Sequence, residues 1–226
     1  MTGHDGDSGS HGGGQPRKRL RLERYHWLKA ALELPLAVLL FVALLPVGAL
    51  LALLIRVTSP GSAIYRARRI GRHGRTIHVL KFRTMFVDAD QKLEAILDEN
   101  PDLKREWLRK FKLQNDPRIT PMGKILRRTS LDELPQLWNV LRGDMALVGP
   151  RPIVEQERGL YGAHVADLMA VQPGMTGLWQ VSGRSNTTYA ERVALDMRYV
   201  NAWSPWLDLL ILCKTLGVVL KGTGAR

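Results

Sequence analysis

The chain has 226 residues, 45% of them hydrophobic, with 33 Lys plus Arg against 21 Asp plus Glu and a formal net charge of +12. That length can bury one good-sized core, and so strong a basic excess favours a polyanionic partner: nucleic acid, an anionic membrane surface or phosphorylated substrates. The single cysteine, Cys213, excludes an intrachain disulfide, and the six histidines show no spacing that would hold zinc.

In chain order, Met1 to Pro16 is Gly, Ser, His and Asp with almost no apolar content, a composition that predicts disorder. A basic patch follows at Arg17, Lys18, Arg19, Arg21, Arg24 and Lys29. Leu34 to Ile55 then runs for 22 residues without a charge. As a helix it would be about 33 Å long, roughly the hydrocarbon thickness of a bilayer. The run is too long for a cleaved signal peptide, and no small-x-small site precedes Arg56. Pro46, near its middle, deletes a backbone hydrogen bond and kinks a helix. Basic residues flank both ends, the second group being Arg56, Arg66, Arg68, Arg69, Arg72 and Arg75. Positive flanks stay cytoplasmic, which suits a hairpin that enters and leaves one face, yet prolines are tolerated in spanning helices. Both topologies stand at this point, and both leave the rest of the chain in the cytoplasm.

Ala63–Ile70 and Thr76–Phe82, separated by Gly71-Arg72-His73-Gly74-Arg75, read as a β-hairpin. Val87 to Lys112 reads as two helices split at Asn100-Pro101. Asn115-Asp116-Pro117 and Thr120-Pro121-Met122-Gly123 are turn chemistry, and Leu134 to Leu141 reads as a helix stopped near Arg142-Gly143. Gly149-Pro150-Arg151-Pro152 and Gln172 to Gly177 read as rigid loops, and Tyr189 to Val200 as a helix. Trp203 to Lys221 is apolar but interrupted by Asp208 and Lys214, so it suits an amphipathic helix, either on a membrane surface or packed on the core.

The stretch from Arg127 to Gln136 sets Asp132 and Glu133 side by side near Arg127 and Arg128. Adjacent acids beside fixed cations suit a site where a phosphate, with a divalent metal, approaches a carboxylate. Ser130-Leu131-Asp132-Glu133 also fits a capping box, and spacing by itself favours that structural reading.

Taken in order, Lys81-Phe82-Arg83-Thr84-Met85, Asn115 to Thr120, Arg127 to Gln136, Leu141 to Met145, Leu147 to Pro152 and Pro173 to Leu178 closely resemble the bacterial sugar transferases, monotopic phosphoglycosyl transferases that act on polyprenyl phosphate. The resemblance runs from about Lys29 to the C-terminus. Ser182 to Asn186, Asp196, Tyr199-Val200 and Trp203 to Lys214 resemble the exopolysaccharide-initiating branch, which commonly uses UDP-galactose or UDP-glucose. Two departures stand out: Leu45 precedes Pro46 where serine is usual, and Glu33 stands where aspartate is usual.

The resemblance implies an α+β protein in which a re-entrant membrane helix precedes a mostly helical cytoplasmic catalytic domain with a small β-hairpin and interfacial amphipathic helices. The expected divisions are a disordered basic tail (1–29), a re-entrant helix broken at Pro46 (30–57) and the transferase domain (58–226). The implied reaction moves a sugar 1-phosphate from a UDP-sugar to undecaprenyl phosphate, releases UMP, and takes place at the cytoplasmic face of the inner membrane. Asp132 would be the nucleophile, Glu133 with Asp132 would hold Mg²⁺, and Arg127, Arg151, Lys81 and Arg83 would bind phosphate. Gln180, Arg184, Asn186 and Tyr199 are left without a firm role, and so is a homodimer. Rival readings are a membrane-attached phosphatase with water as acceptor, and a non-catalytic basic protein on membrane or nucleic acid. No zinc-finger spacing or RNA-binding aromatic signature supports the nucleic-acid partner.

Overall fold

The computed structural model describes residues 15–110, 113, 115–183 and 187–221, with the side chains of 15–24, 90, 109, 110 and 219–221 left aside. The expected disorder of residues 1–14, and the residues Arg184 and Asn186, lie outside the described residues.

Helix α1 (Gln15–Thr58) has 44 residues. It starts well before residue 30, where the disordered tail was expected to give way, because a run of Arg, Lys and Leu favours a helix and Tyr25 and Lys29 already bury against the domain. Its buried and half-buried positions (25, 26, 29, 33, 36, 37, 40, 41, 44, 48, 51, 52, 54 and 55) cluster at spacings of three and four residues, the period of one helix face. That stripe meets the domain along its length. Ala37, Leu40, Phe41 and Leu44 join the main core with Ala67, Val79, Leu137, Val148 and Ile211, while Leu51, Ala52 and Ile55 join a second cluster with Phe82 and Leu126. The opposite face shows Leu39, Val42, Leu50 and Leu53 to the exterior. The helix continues through Pro35 and Pro46 without ending at either.

Strands β1 (Ile64–Ile70) and β2 (Thr76–Phe82) form the expected antiparallel hairpin, in register from Ile64↔Phe82 to Ile70↔Thr76. His73 (φ 59°) and Gly74 (φ 73°) adopt left-handed conformations that turn its tip. Helices α2 (Ala89–Glu99) and α3 (Pro101–Lys110) divide at Asn100, as the Asn-Pro step dictates. Helix α4 (Pro121–Thr129) is capped by the Thr120 hydroxyl, which accepts from the Gly123 amide at 2.9 Å. A Cβ on Gly123 would stand 2.0 Å from the Thr84 carbonyl oxygen, so this helix can reach the end of the hairpin only with glycine there.

Ser130 does not cap a following helix. It ends α4 in a left-handed conformation (φ 58°), its side chain makes no capping hydrogen bond, and Leu131–Glu133 forms a short 3₁₀ turn. Helix α5 (Gln136–Leu141) begins only after Pro135 and is locked to the hairpin by Asn139. The Asn139 Oδ1 accepts from the Leu80 amide at 2.9 Å, and its Nδ2 donates to the His78 carbonyl at 2.8 Å.

Gln172 to Gly177, expected to be a rigid loop, contains a short strand, β4 (Gly174–Thr176), which pairs in parallel with β3 (Ala146–Val148), just before the Gly149–Pro152 loop. Each strand has three residues, too short to show a period in the sequence. Gly149 and Gly174 permit the close approach, because a Cβ on Gly174 would lie 2.1 Å from the Gly149 amide nitrogen. Short helices α6 (Arg158–Tyr161) and α7 (Val165–Met169) lie in the crossover between the two strands, and α8 (Leu178–Ser182) leads from β4 to α9 (Tyr189–Ala202) and α10 (Pro205–Lys221). Helix α10 packs one face on the core and leaves an apolar face outward. Ile211 and Asp208 are buried against the domain, while Trp206, Leu209 and Leu216 face outward. The architecture is α+β and dominated by helices.

Candidate functional site

Lys81 near the end of β2, Arg127 in the last turn of α4, and Asp132 and Glu133 in the 3₁₀ turn converge. The Lys81 Nζ donates to Glu133 Oε1 at 2.7 Å, a partly buried ion pair that ties the hairpin to the carboxylate turn. The Arg127 Nε donates to Thr84 Oγ1 at 2.9 Å, which fixes the guanidinium at the same end of the hairpin.

Asp132 sits between these groups. Burial pushes its carboxyl up to about 6; Glu133 adds to the rise, while Lys81 and Arg127 oppose it. A helix N-terminus would favour the ionised form, but none is present here. The 3₁₀ turn and Pro135 separate Asp132 from the first turn of α5, so it does not stand at that helix start. A carboxylate poised in this way has its charge state set by whatever cation or substrate approaches. Burial also lowers the Arg127 guanidinium, with Asp132 as its leading opposing influence.

The remaining expected site residues lie elsewhere. Arg83 donates through Nη1 to the Pro60 carbonyl and through Nη2 to the Ser59 carbonyl, each at 2.6 Å. It therefore fastens the chain leaving α1. Arg151, in the loop after β3, lies over the Trp179 ring at 5.7 Å and interacts electrostatically with Arg69 and Asp196. Gln180 donates to the Met175 carbonyl at 2.8 Å, which orders the turn after β4. Tyr199 belongs to a buried network under β3 that sequence reasoning missed. There the Lys29 Nζ donates to Glu33 Oε1 at 2.6 Å, Asp208 Oδ2 at 2.7 Å and Tyr199 OH at 3.1 Å. Glu33 accepts the Leu147 and Val148 amides at 2.8 and 3.1 Å. The departure at position 33 thus has a structural use: its carboxylate anchors the strand that leads to Arg151.

Mg²⁺ takes hard oxygen ligands, usually one or two carboxylates, with waters and substrate phosphates completing its shell. Adjacent Asp132 and Glu133 fit that donor set. No cluster of three His, Cys, Asp or Glu occurs among the described residues, so no site of the all-protein kind is present there.

A mostly helical domain with a hairpin-borne lysine, a helix-borne arginine and a paired-acid turn, docked on a long apolar helix, matches the family model "Bacterial sugar transferase" over residues 24–222. The chain belongs to that family. Among its relatives it is 50% identical over 200 residues to a UDP-galactose-lipid carrier transferase of Erwinia amylovora, covering 88% of this chain and 42% of the relative. It is 45% identical to the exopolysaccharide production protein ExoY of Sinorhizobium fredii, covering 87% of each. It is also 52% identical to an undecaprenyl-phosphate galactose phosphotransferase of Salmonella typhimurium, over 73% of this chain and 35% of the relative. The chain therefore spans well under half of some relatives and most of another.

Proposed function

We propose that the protein transfers a sugar 1-phosphate, galactose or glucose, from a UDP-sugar to undecaprenyl phosphate and releases UMP, the step that initiates an exopolysaccharide or related glycoconjugate. The observation that carries this reading is a partly buried Asp132 held among Glu133, Lys81 and Arg127. The Salmonella typhimurium relative, named as an undecaprenyl-phosphate galactose phosphotransferase, supports it.

In the first half-reaction an Asp132 carboxylate oxygen attacks the β-phosphorus. The Oδ–P bond forms as the bridging P–O bond breaks, and UMP leaves with that bond's electron pair. In the second, a phosphate oxygen of undecaprenyl phosphate attacks the same phosphorus and the carboxylate departs, giving the lipid diphosphate sugar and free Asp132. Lys81 and Arg127 offset the charge of two anionic reactants, an electrostatic stabilisation of the kind that commonly dominates phosphoryl transfer. Mg²⁺ held by Asp132 and Glu133 would supply further neutralisation of the diphosphate. The covalent intermediate lets one site serve a water-soluble donor and then a lipid acceptor.

Helix α1, whose mean hydropathy reaches 3.0 over 18 residues, would seat the protein on the cytoplasmic face of the inner membrane through its apolar outer face. The docking of both halves of α1 on one domain supports the re-entrant form over a span.

Membranes carrying the protein, given UDP-sugars and Mg²⁺, are expected to release UMP over many turnovers only when undecaprenyl phosphate is supplied, and without it to stop at about one UMP per enzyme. Asp132→Asn is expected to abolish turnover, and intact-mass spectrometry of wild type given donor alone should show a sugar-phosphate adduct. Free sugar phosphate as the product would instead identify a phosphatase. Full turnover by Asp132→Asn would end the proposal.

A further inference from the structure

Beyond the Asp132 cluster lies a second concentration of positive charge that the mechanism above does not use. Arg192, on α9, is 7% exposed, and its guanidinium lies over the Trp179 ring at 4.9 Å and the Tyr189 ring at 5.0 Å. Its Nη1 donates to Glu157 Oε1 at 3.2 Å, while its Nε and Nη2 are buried without a hydrogen-bond partner. Arg151 approaches the same Trp179 ring and has no hydrogen-bond or ion-pair partner among the described residues. Arg69, on β1, is half-buried and lies within electrostatic range of Arg151, Glu157 and Tyr65. Burial and then the Arg151 charge depress its guanidinium.

The carboxylates facing this group are Glu157 and Asp196. Glu157 also accepts the Val154 amide, and Asp196 accepts the Tyr161 hydroxyl at 2.7 Å. The neighbouring acidic groups raise the Arg192 guanidinium despite its burial, yet three guanidiniums face two carboxylates and the buried Arg192 Nε and Nη2 lack an acceptor, which costs free energy unless an anion joins them. Planar forks of this kind match phosphate oxygens in pairs.

We infer that Arg151 and Arg192, which share the Trp179 ring, and Arg69, within electrostatic range of Arg151, form a second phosphate-binding subsite, separate from the Asp132 cluster. Its place relative to that cluster follows from the hairpin register. Arg69 pairs with Ile77, and Lys81 stands on the same face of β2 four residues further on. At the rise of a strand that is about 13 Å, more than one phosphate spans and within reach of one extended substrate. In the transferase reading, on which the choice of phosphate rests, the group held here is the donor's α-phosphate, where charge accumulates as UMP leaves. The lipid phosphate has the same chemistry and is the other source.

The test uses the full chain in detergent or nanodiscs, with Arg69→Gln and Arg192→Gln compared with wild type, Arg192→Lys and Trp179→Phe. Titration with UMP is expected to show about 10- to 100-fold weaker binding for each glutamine variant, the loss of one charge-assisted contact. The donor KM should rise in parallel while the acceptor KM holds, and Arg192→Lys should recover part of the affinity. A rise in acceptor KM, with UMP binding unchanged, would keep the subsite and assign it to the lipid phosphate. Unchanged UMP affinity and unchanged KM for both substrates in variants that melt like wild type would overturn the inference. Should Arg192→Gln not fold, Arg69→Gln, on a half-exposed position, decides. If wild type transfers no sugar phosphate, the proposed function fails, yet the UMP titration still reads the subsite by itself.

Discussion

Asp196 is a buried carboxylate beside two arginines that is nonetheless held up near pH 6, because burial outweighs the Tyr161 hydrogen bond and the Arg192 and Arg151 charges. The sign of its effect on stability follows. A carboxyl raised from 3.8 in the unfolded chain to about 6 in the native one binds its proton more tightly when folded. Its contribution is therefore fully present below the unfolded value and is lost as pH rises through about 6. The full swing is on the order of 3 kcal/mol. Asp196→Asn keeps an acceptor for the Tyr161 hydroxyl and removes the titration. The difference in unfolding free energy between variant and wild type, taken from denaturant titrations at pH 4.5 and 7.5, should move in favour of the variant at the higher pH. A difference that stays constant across that range would show that Asp196 does not titrate in this window.

Among the elements, the hairpin was legible because Thr76-Ile77-His78-Val79 alternates and glycines mark its tip, and α2 and α3 because Asn100-Pro101 must divide them. The pair β3 and β4 was not legible, since strands of three residues joined by a long crossover leave no periodic trace. In the site, Asp132, Glu133, Arg127 and Lys81 were readable and do converge. The destinations of Arg83 and Arg151 were not, because a cation's partner depends on chain segments far away in sequence. The same holds for Lys29, which reads as part of a basic tail and folds as the centre of a buried network whose other side chains are Glu33, Tyr199 and Asp208. That network joins α1 to α10 and β3. Lys29→Met would leave two carboxylates buried without their cation, at a cost of about 3–5 kcal/mol, whereas Tyr199→Phe would cost about 1–2 kcal/mol. Thermal unfolding in detergent should rank the variants in that order. Equal melting of Lys29→Met and wild type would mean that α1 docks through its apolar stripe alone.

For the whole molecule the decisive relation is between α1 and the domain it carries. Ala37 packs into the main core and Ile55 into the second cluster, and the helix between them is about 27 Å long. If α1 crossed the bilayer as a plain span, those two contacts would fall near opposite sides of a hydrocarbon layer about 30 Å thick. The same domain, with Lys81, Arg127 and Asp132 at the end of its hairpin, would then have to be submerged with it, and burying such charges in lipid is costly. An α1 that stays within one leaflet, bending at Pro46 without its helix ending there, leaves every one of these groups in water and keeps the outward leucines in lipid. The prediction is that cysteines placed at Ser10 and Ser62, in a Cys213→Ser background, are both shielded from an impermeant thiol reagent in intact cells and both labelled once the inner membrane is opened. Labelling at Ser10 alone in intact cells would establish a full span, and the contacts of Leu51, Ala52 and Ile55 with Phe82 and Leu126 would then have to break in the membrane-bound protein.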